Sequence, residues 1–282
     1  MSTSNYVTIN GNKIHYLSEG EGKPVVFIHG IPTSSYIWRN IMPKIATKNQ
    51  CIALDLIGMG QSDKPQDIEY SIYDHINYFT QFVKALDLKN INIMMHGWGS
   101  IIGFAYAQNN ADNVQGLAFV EGYVNLPENP RDIPLPVQEI SSLVHDPVKM
   151  EYLVVEQNQL VEKLLPGITL NKVGEDQLAV YRKPFEKKEN RKVLLQFALE
   201  QPYRNPQSPA HELIKGYSSW LQTTPIRKLM MYGVPGFLTN MNTVQWATTH
   251  LPNLTVVDVG HGLHYLPESR HAEITETLSR WL

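Results

Sequence analysis

The sequence holds a single cysteine, Cys51, in its 282 residues. One thiol excludes an intramolecular disulfide and a zinc site built from thiolates. No run approaches the ~18 consecutive apolar residues of a membrane-spanning helix, and the N-terminus lacks the pattern of a secretory leader. Lysine and arginine number 24 against 27 aspartates and glutamates, so the basic excess needed to neutralise phosphates is missing. These absences exclude nucleic-acid binding and membrane spanning, and they predict a cytoplasmic protein.

Motifs for common cofactors are also missing. The chain contains neither a phosphate-binding P-loop nor the GxGxxG fingerprint of a dinucleotide site, so we expect no cofactor. His261 and His264 stand three residues apart, a spacing found in metal sites, but no third ligand follows in a suitable pattern, and we predict no metal site. The sequence leaves the oligomeric state open.

Short apolar runs alternate with amphipathic segments along much of the chain. Such alternation predicts an α/β fold, in which a mostly parallel sheet carries helices on both faces. A preceding hairpin is predicted over Tyr6–Ile9 and Lys13–Tyr16, joined by Asn10-Gly11-Asn12. The predicted parallel strands are Pro24–Ile28, Cys51–Leu56, Ile91–Met95, Gly116–Val120, Lys228–Tyr232 and Leu254–Val259.

The alternation breaks in the middle of the chain. Residues 124–207 carry most of the prolines and many charges, and the strand–helix pattern resumes after them. We interpret this segment as a helical cap inserted into one core made of residues 1–123 and 208–282. The predicted helices are Tyr36–Ala46, Ile72–Leu86, Ser100–Gln108, Val148–Leu165, Ala210–Leu221, Thr243–His250 and Glu268–Leu282.

Polar residues follow four of the predicted strands. They are His29-Gly30-Ile31, His96-Gly97-Trp98-Gly99-Ser100, Glu121, and the segment from His261 to His264. In open α/β sheets, ligands bind beyond the carboxyl ends of the strands. We therefore expect these residues to form the functional site.

The segment from His96 to Ser100 has the form of a nucleophile elbow. In that turn between a strand and a helix, a strained central residue exposes its side chain. The central position here is Gly97, which tolerates the positive φ of an elbow but offers no nucleophile. An ordinary strand–helix connection would suit the same residues.

Five segments resemble the haloalkane dehalogenases of the α/β-hydrolase superfamily. They are residues 29–43 (HGIPTSSYIWRNIMP), 55–64 (DLIGMGQSDK), 96–104 (HGWGSIIGF), 181–185 (YRKPF) and 260–266 (GHGLHYL). The resemblance runs from about residue 6 to the end of the chain. It implies an α/β-hydrolase fold with a helical cap, and it is strongest to the branch that holds its catalytic acid after the sixth strand.

The resemblance also implies roles for single residues. In the family, an aspartate at the elbow displaces halide from carbon, and a histidine–glutamate pair activates water to hydrolyse the resulting ester. His264 matches that base and Glu121 the acid that orients it. Trp98 matches one of two halide donors, and the backbone N–H groups of Trp98 and Ile31 match the oxyanion hole. Gly97 stands where the aspartate is expected, and Ile31 where the second halide donor, an asparagine, is expected.

Three hypotheses follow. In the first, the chain has abandoned carbon–halogen cleavage and uses His264 and Glu121 for general-base chemistry on a small, reactive, apolar or amphipathic organic molecule. A void beside His264, left by the missing aspartate, is expected to hold water or substrate. In the second, the chain is a dehalogenase disabled at Gly97, which leaves Ile31 unexplained. In the third, it is a non-catalytic binder of small molecules.

Overall fold

The computed structural model describes residues 2–127, 129–170, 173–203 and 205–282. Eight strands within these residues form one sheet in the order β1-β2-β4-β3-β5-β6-β7-β8. Pairing is parallel from β4 through β8 and antiparallel at β1–β2 and β2–β4. The strands are β1 Thr3–Ile9, β2 Asn12–Glu19, β3 Lys23–Ile28, β4 Asn49–Leu54, β5 Ile91–Gly97, β6 Val114–Gly122, β7 Arg227–Pro235 and β8 Leu254–Gly262.

The predicted hairpin is confirmed. Asn10 and Gly11 adopt φ values of 50° and 83°, as a two-residue turn between twisted antiparallel strands requires. The predicted parallel strands are confirmed as well, and β5 is buried along its whole length. A strand covered on both faces has no polar side to alternate with, which explains its continuous apolar run.

Helices cover both faces of the sheet. Helix α2 opens with a capping box between Ser71 and Asp74, and α3 is buried from Trp98 to Ala107 at the centre of the molecule. The α-helices are α1 Met42–Ile45, α2 Ile72–Ala85, α3 Trp98–Asn109, α4 Leu135–Ser142, α5 Pro147–Glu151, α6 Leu165–Gly167, α7 Glu175–Arg182, α8 Lys192–Leu199, α9 Pro209–Leu221, α10 Met241–His250, α11 Leu266–Ser269 and α12 His271–Trp281. Two π-helical turns, Tyr152–Glu156 and Leu160–Leu164, lie between α5 and α6, and short 3₁₀ turns occupy Ser35–Trp38, Ala111–Asn113, Pro130–Asp132, Leu143–His145, Lys183–Phe185 and Lys188–Arg191.

The prediction of one helix over Tyr36–Ala46 is wrong. The chain forms the 3₁₀ turn Ser35–Trp38 and then the short α1, with Pro43 in its first turn. Proline has no N–H to continue a helix that has already begun, but it suits the first turn of a new one.

Two further helix predictions are wrong in the same way. The predicted helix Val148–Leu165 breaks at Asn158, whose φ of 50° does not fit a right-handed helix, and π turns lie on both sides of it. The predicted helix Glu268–Leu282 divides into α11 and α12 at Arg270, which has φ −133° and donates from Nε to the His261 carbonyl. Apolar periodicity continues across both breaks, so periodicity alone does not reveal them.

Helices α4 to α8, which we call the cap helices, lie between β6 and β7 in the chain. Phe197 of α8 packs on Trp98 at the start of α3, with ring centroids 5.1 Å apart. The His264 N–H donates to the carbonyl of Ile168, just after α6. The cap helices therefore contact the carboxyl-end edge of the sheet, while the boundaries 124–207 stay a prediction. No helix in the described ranges is long and apolar enough to cross a membrane.

Candidate active site

The predicted site residues converge at the carboxyl ends of four strands. Ile31 follows β3, Trp98 begins the helix after β5, and His264 follows β8. All three line one cavity beneath the cap helices. Glu121, at the end of β6, contacts His264 from behind, and Gly97, at the end of β5, faces the His264 ring. The structure therefore brings together all five residues to which the resemblance assigns roles, whereas His261 is exposed and does not line the cavity.

Gly97 adopts the backbone conformation of an elbow. Its φ of 51° and ψ of −127° lie in a region that L-residues with a side chain rarely adopt, and α3 begins at the next residue. Ser100 Oγ, one turn into α3, donates to the Gly97 carbonyl at 2.7 Å. The strained turn predicted from the sequence is thus present, with hydrogen at the position of the side chain.

The space expected beside His264 lies in the cavity in front of its ring, and the position directly at Gly97 is tight. A Cβ atom on Gly97 would lie 3.2 Å from His264 Nε2 and 3.3 Å from Cε1, closer than Cβ atoms usually approach a neighbour. The imidazole ring therefore packs against the glycine, with Nε2 as the ring nitrogen that faces the elbow.

His264 and Glu121 form a buried pair. His264 Nδ1 donates to Glu121 Oε2 at 3.2 Å, and the glutamate is completely buried. Backbone N–H groups also bind the carboxylate: Phe237 donates to Oε1 at 3.1 Å and Leu238 to Oε2 at 2.6 Å. Glu121 itself adopts φ 50°, a strained value for a residue other than glycine and one that often marks functional sites.

Burial shifts the protonation of both partners. It raises the pKa of Glu121, against the backbone N–H donors that favour its ionised form, and it lowers the pKa of His264. Because burial disfavours the imidazolium, His264 is neutral at neutral pH. With Nδ1 engaged by Glu121, the lone pair on Nε2 is free to accept a proton at the elbow.

The cavity in front of His264 is small and mostly apolar. Its volume is about 50 Å³, room for a few water molecules. Aliphatic and aromatic side chains from core and cap form most of its wall, with Leu160, Leu164 and Ile168 on the cap side. The same three residues also line a larger groove of about 370 Å³. They are therefore the partition between the inner site and the outer groove.

Sequence analysis missed two polar residues of the cavity wall, Tyr123 and Gln201. His96, which it did expect at the site, contacts His264 through the backbone, since its Nε2 donates to the His264 carbonyl at 3.0 Å. Tyr123 lies only two positions beyond Glu121 at the same strand end, a signal that was available in the sequence. Gln201 follows α8 in the cap, and no pattern in the sequence marks it.

Comparisons with known proteins agree with this geometry. The family model for the alpha/beta hydrolase fold matches residues 23–266. A haloalkane dehalogenase of Sphingobium indicum is 35% identical over 98% of this chain and 94% of its own length. The chain belongs to the haloalkane dehalogenase family.

Solved structures of the family superpose closely on this member. A haloalkane dehalogenase from Bradyrhizobium elkani matches with a TM-score of 0.95 and 30% identity, over 100% of this chain and 97% of its own. Another, from Agrobacterium tumefaciens, matches with a TM-score of 0.93 and 30% identity, over 99% and 96%. The resemblance inferred from sequence motifs and the predicted α/β-hydrolase fold are both confirmed.

Proposed function

We propose that this family member catalyses general-base chemistry through His264 and Glu121 without a covalent enzyme intermediate. One observation carries the proposal: the buried His264–Glu121 pair is complete while Gly97, at the elbow, offers no side chain. Ile31 supports it, since an alkyl group takes the place expected for a halide donor. Both replaced groups serve carbon–halogen cleavage, so their joint loss points away from that reaction.

The proposed reaction is direct hydrolysis of a reactive carbonyl compound. His264 Nε2 takes a proton from a water molecule, and the water oxygen attacks the carbonyl carbon. Glu121 stabilises the imidazolium that forms, and the backbone N–H groups of Ile31 and Trp98 stabilise the oxyanion. The bond to the leaving oxygen then breaks, its electron pair goes to that oxygen, and the imidazolium returns the proton.

Proton abstraction from carbon, leading to elimination or cyclisation, would use the same base. An elbow enzyme without its nucleophile keeps ~10³–10⁴-fold catalysis over water, so the substrate must itself be reactive. The cavity walls favour a small, apolar or amphipathic organic molecule. The location in the cytoplasm stays a prediction.

Two other functions remain as alternatives. A dehalogenase disabled at Gly97 would keep a halide site with two donors, which Ile31 opposes. A non-catalytic binder would need only the apolar walls, whereas this chain keeps a buried carboxylate and imidazole that such binding does not require. The intact pair therefore favours the enzyme.

The test is the variant His264→Ala. We expect it to lose turnover of activated esters such as para-nitrophenyl acetate by ~10²–10⁴-fold, the usual contribution of a general base. The matched control is His261→Ala, because His261 is exposed and lies three residues away. Initial rates with both variants, each checked for folding by circular dichroism, decide the outcome. Equal turnover by His264→Ala and the parent would refute the proposed base.

A further inference from the structure

Tyr123 is a buried polar side chain at the cavity that has no role in the proposed general-base mechanism. Tyr123 lines the cavity and is 4% exposed. Its hydroxyl finds no hydrogen-bond partner among the residues that the structure describes. More than about 90% of buried polar groups in proteins have such a partner. An unpartnered hydroxyl beside an apolar cavity therefore points to a ligand atom as its partner.

The backbone of Tyr123 is fixed relative to the elbow. Its N–H donates to Ser100 Oγ at 2.8 Å, and Ser100 Oγ donates in turn to the Gly97 carbonyl at 2.7 Å. On the other side, the hydroxyl of the fully buried Tyr217 donates to the Tyr123 carbonyl. Two side chains thus hold this one residue in place, and one of them connects it directly to Gly97.

The ring of Tyr123 packs beside the indole of Trp98. Their centroids are 5.9 Å apart, and the ring of Tyr203 lies 5.6 Å away on another side. Trp98 also lines the cavity, and its Nε1 donates to no group in the described ranges. Burial raises the pKa of Tyr123 well above its ordinary value, so the hydroxyl stays protonated. Among the described residues, these two neighbouring cavity side chains therefore carry donors without a protein partner.

We propose that Tyr123 is a catalytic hydrogen-bond donor that binds, together with Trp98, the leaving oxygen of an ester or lactone substrate. This inference rests on the proposed function: His264 acts as the base, and the two donors act on the leaving oxygen. Ile31 supplies no side-chain donor, and Tyr123 provides the second donor from a different strand. As the carbon–oxygen bond breaks, its electron pair moves to the leaving oxygen, and the two donors stabilise the negative charge that develops there.

The experiment compares two esters that share an acyl group and differ in leaving group. Phenyl acetate has the more basic leaving oxygen, so its departure gains more from a hydrogen bond than that of para-nitrophenyl acetate. We expect Tyr123→Phe to lower kcat/KM for phenyl acetate by ~10²-fold and for para-nitrophenyl acetate by less than about threefold. Tyr203→Phe is the matched control, because it removes a hydroxyl from the neighbouring buried ring, and it should change neither rate. Equal losses on the two esters would overturn the inference.

A binding experiment tests the oxygen site independently of the proposed base. The affinity for phenol, measured by calorimetry, should fall about tenfold in Tyr123→Phe and in Trp98→Phe, while that for toluene stays unchanged. Unchanged phenol affinity in both variants would overturn the oxygen site. If phenol affinity falls as expected but ester turnover is insensitive to His264→Ala, the oxygen site stands and the proposed base fails.

Discussion

At the scale of single residues, the site has two positions, 97 and 31, whose residues differ from those that the family's reaction uses. Gly97 stands where the family resemblance implies a nucleophile, and a Cβ added to it would lie 3.2 Å from His264 Nε2. Ile31 lines the cavity with an alkyl group, and its carbonyl accepts a hydrogen bond from the Tyr265 hydroxyl at 2.7 Å. The family resemblance assigns both positions to the same reaction.

Restoring the nucleophile alone should not restore dehalogenation. We expect little or no halide release from bromoalkanes by Gly97→Asp, and substantial release by the double variant Gly97→Asp/Ile31→Asn. One halide donor is otherwise missing, worth ~2–4 kcal/mol by analogy with oxyanion-hole donors. Halide titration provides the measurement. Substantial release from the single variant would instead support a dehalogenase that was disabled only at Gly97.

The same substitution tests strain at the elbow. Gly97→Asp and Gly97→Ala should both lower the free energy of unfolding by ~1–3 kcal/mol, because φ is positive and the added Cβ crowds His264. Gly216→Ala is the control: this glycine lies inside α9, with nothing within 4 Å of an added Cβ. An unchanged melting temperature in both Gly97 variants would contradict the elbow conformation.

At the scale of elements, one buried ionic cluster joins the cap helices to the core. Glu268 of α11 accepts two hydrogen bonds from Arg39, at 2.7 Å and 2.6 Å, and a third from the hydroxyl of Tyr181 in α7. The Glu268 side chain is 5% exposed and Tyr181 is buried, and the guanidinium also lies 4.0 Å over the Tyr36 ring. Because α7 belongs to the cap and α11 to the core, this cluster fixes the two against each other.

Loss of the Tyr181 hydroxyl should loosen the cap more than the core. We expect Tyr181→Phe to lower stability by ~1–3 kcal/mol, the usual contribution of a hydrogen bond to a charged group. Amide hydrogen exchange should accelerate in α7 while β5 stays protected. Tyr152→Phe serves as the control, since Tyr152 is an exposed cap tyrosine. Equal exchange in α7 of the parent and Tyr181→Phe would show that the cluster does not hold the cap.

At the scale of the whole molecule, several histidines are buried in neutral form. Burial lowers the pKa of His29, His75, His96 and His264, and that of His75 falls to about 3. His75 lies between the rings of Tyr70 and Phe197, and neither of its nitrogens has a partner in the described ranges. Each of these groups gains a proton more readily in the unfolded chain than in the folded one.

Stability should therefore fall on acidification below pH ~6.5, the pKa of an unperturbed histidine. Because the pKa of these histidines is lower in the folded protein, the unfolded chain binds more protons at acidic pH. The stability that the neutral histidines contribute is therefore fully present above pH ~6.5 and is lost as the pH decreases. For His75 alone, the loss between pH 7 and pH 5 is ~2 kcal/mol. Urea unfolding at both pH values measures this loss for the parent and for His75→Phe. The free energy of unfolding of the variant should decrease by about 2 kcal/mol less than that of the parent. Parallel stability profiles would contradict the assignment to His75.

Much of the architecture could be read from the sequence because the relevant forces are local. Period-two and continuous apolar runs gave the strands, and the Asn10-Gly11 pair gave the hairpin. Helix ends were harder to predict, since Asn158 and Arg270 break apolar periodicity that continues past them. The break at Asn158 lies in its backbone angle, and the break at Arg270 is accompanied by a hydrogen bond to the His261 carbonyl. A local apolar pattern shows neither.

The sequence by itself determined the fold class, the family and the five residues that meet at the site, because strand ends converge in any open parallel sheet. Only the tertiary structure decided how those residues are arranged. It placed the His264 ring against Gly97, hydrogen-bonded the Glu121 carboxylate to the N–H groups of Phe237 and Leu238, and brought Tyr123 and Gln201 to the cavity. Some of these contacts join segments that are far apart in the chain, and others depend on how close-packed side chains fill space. Local residue spacing encodes neither kind of contact.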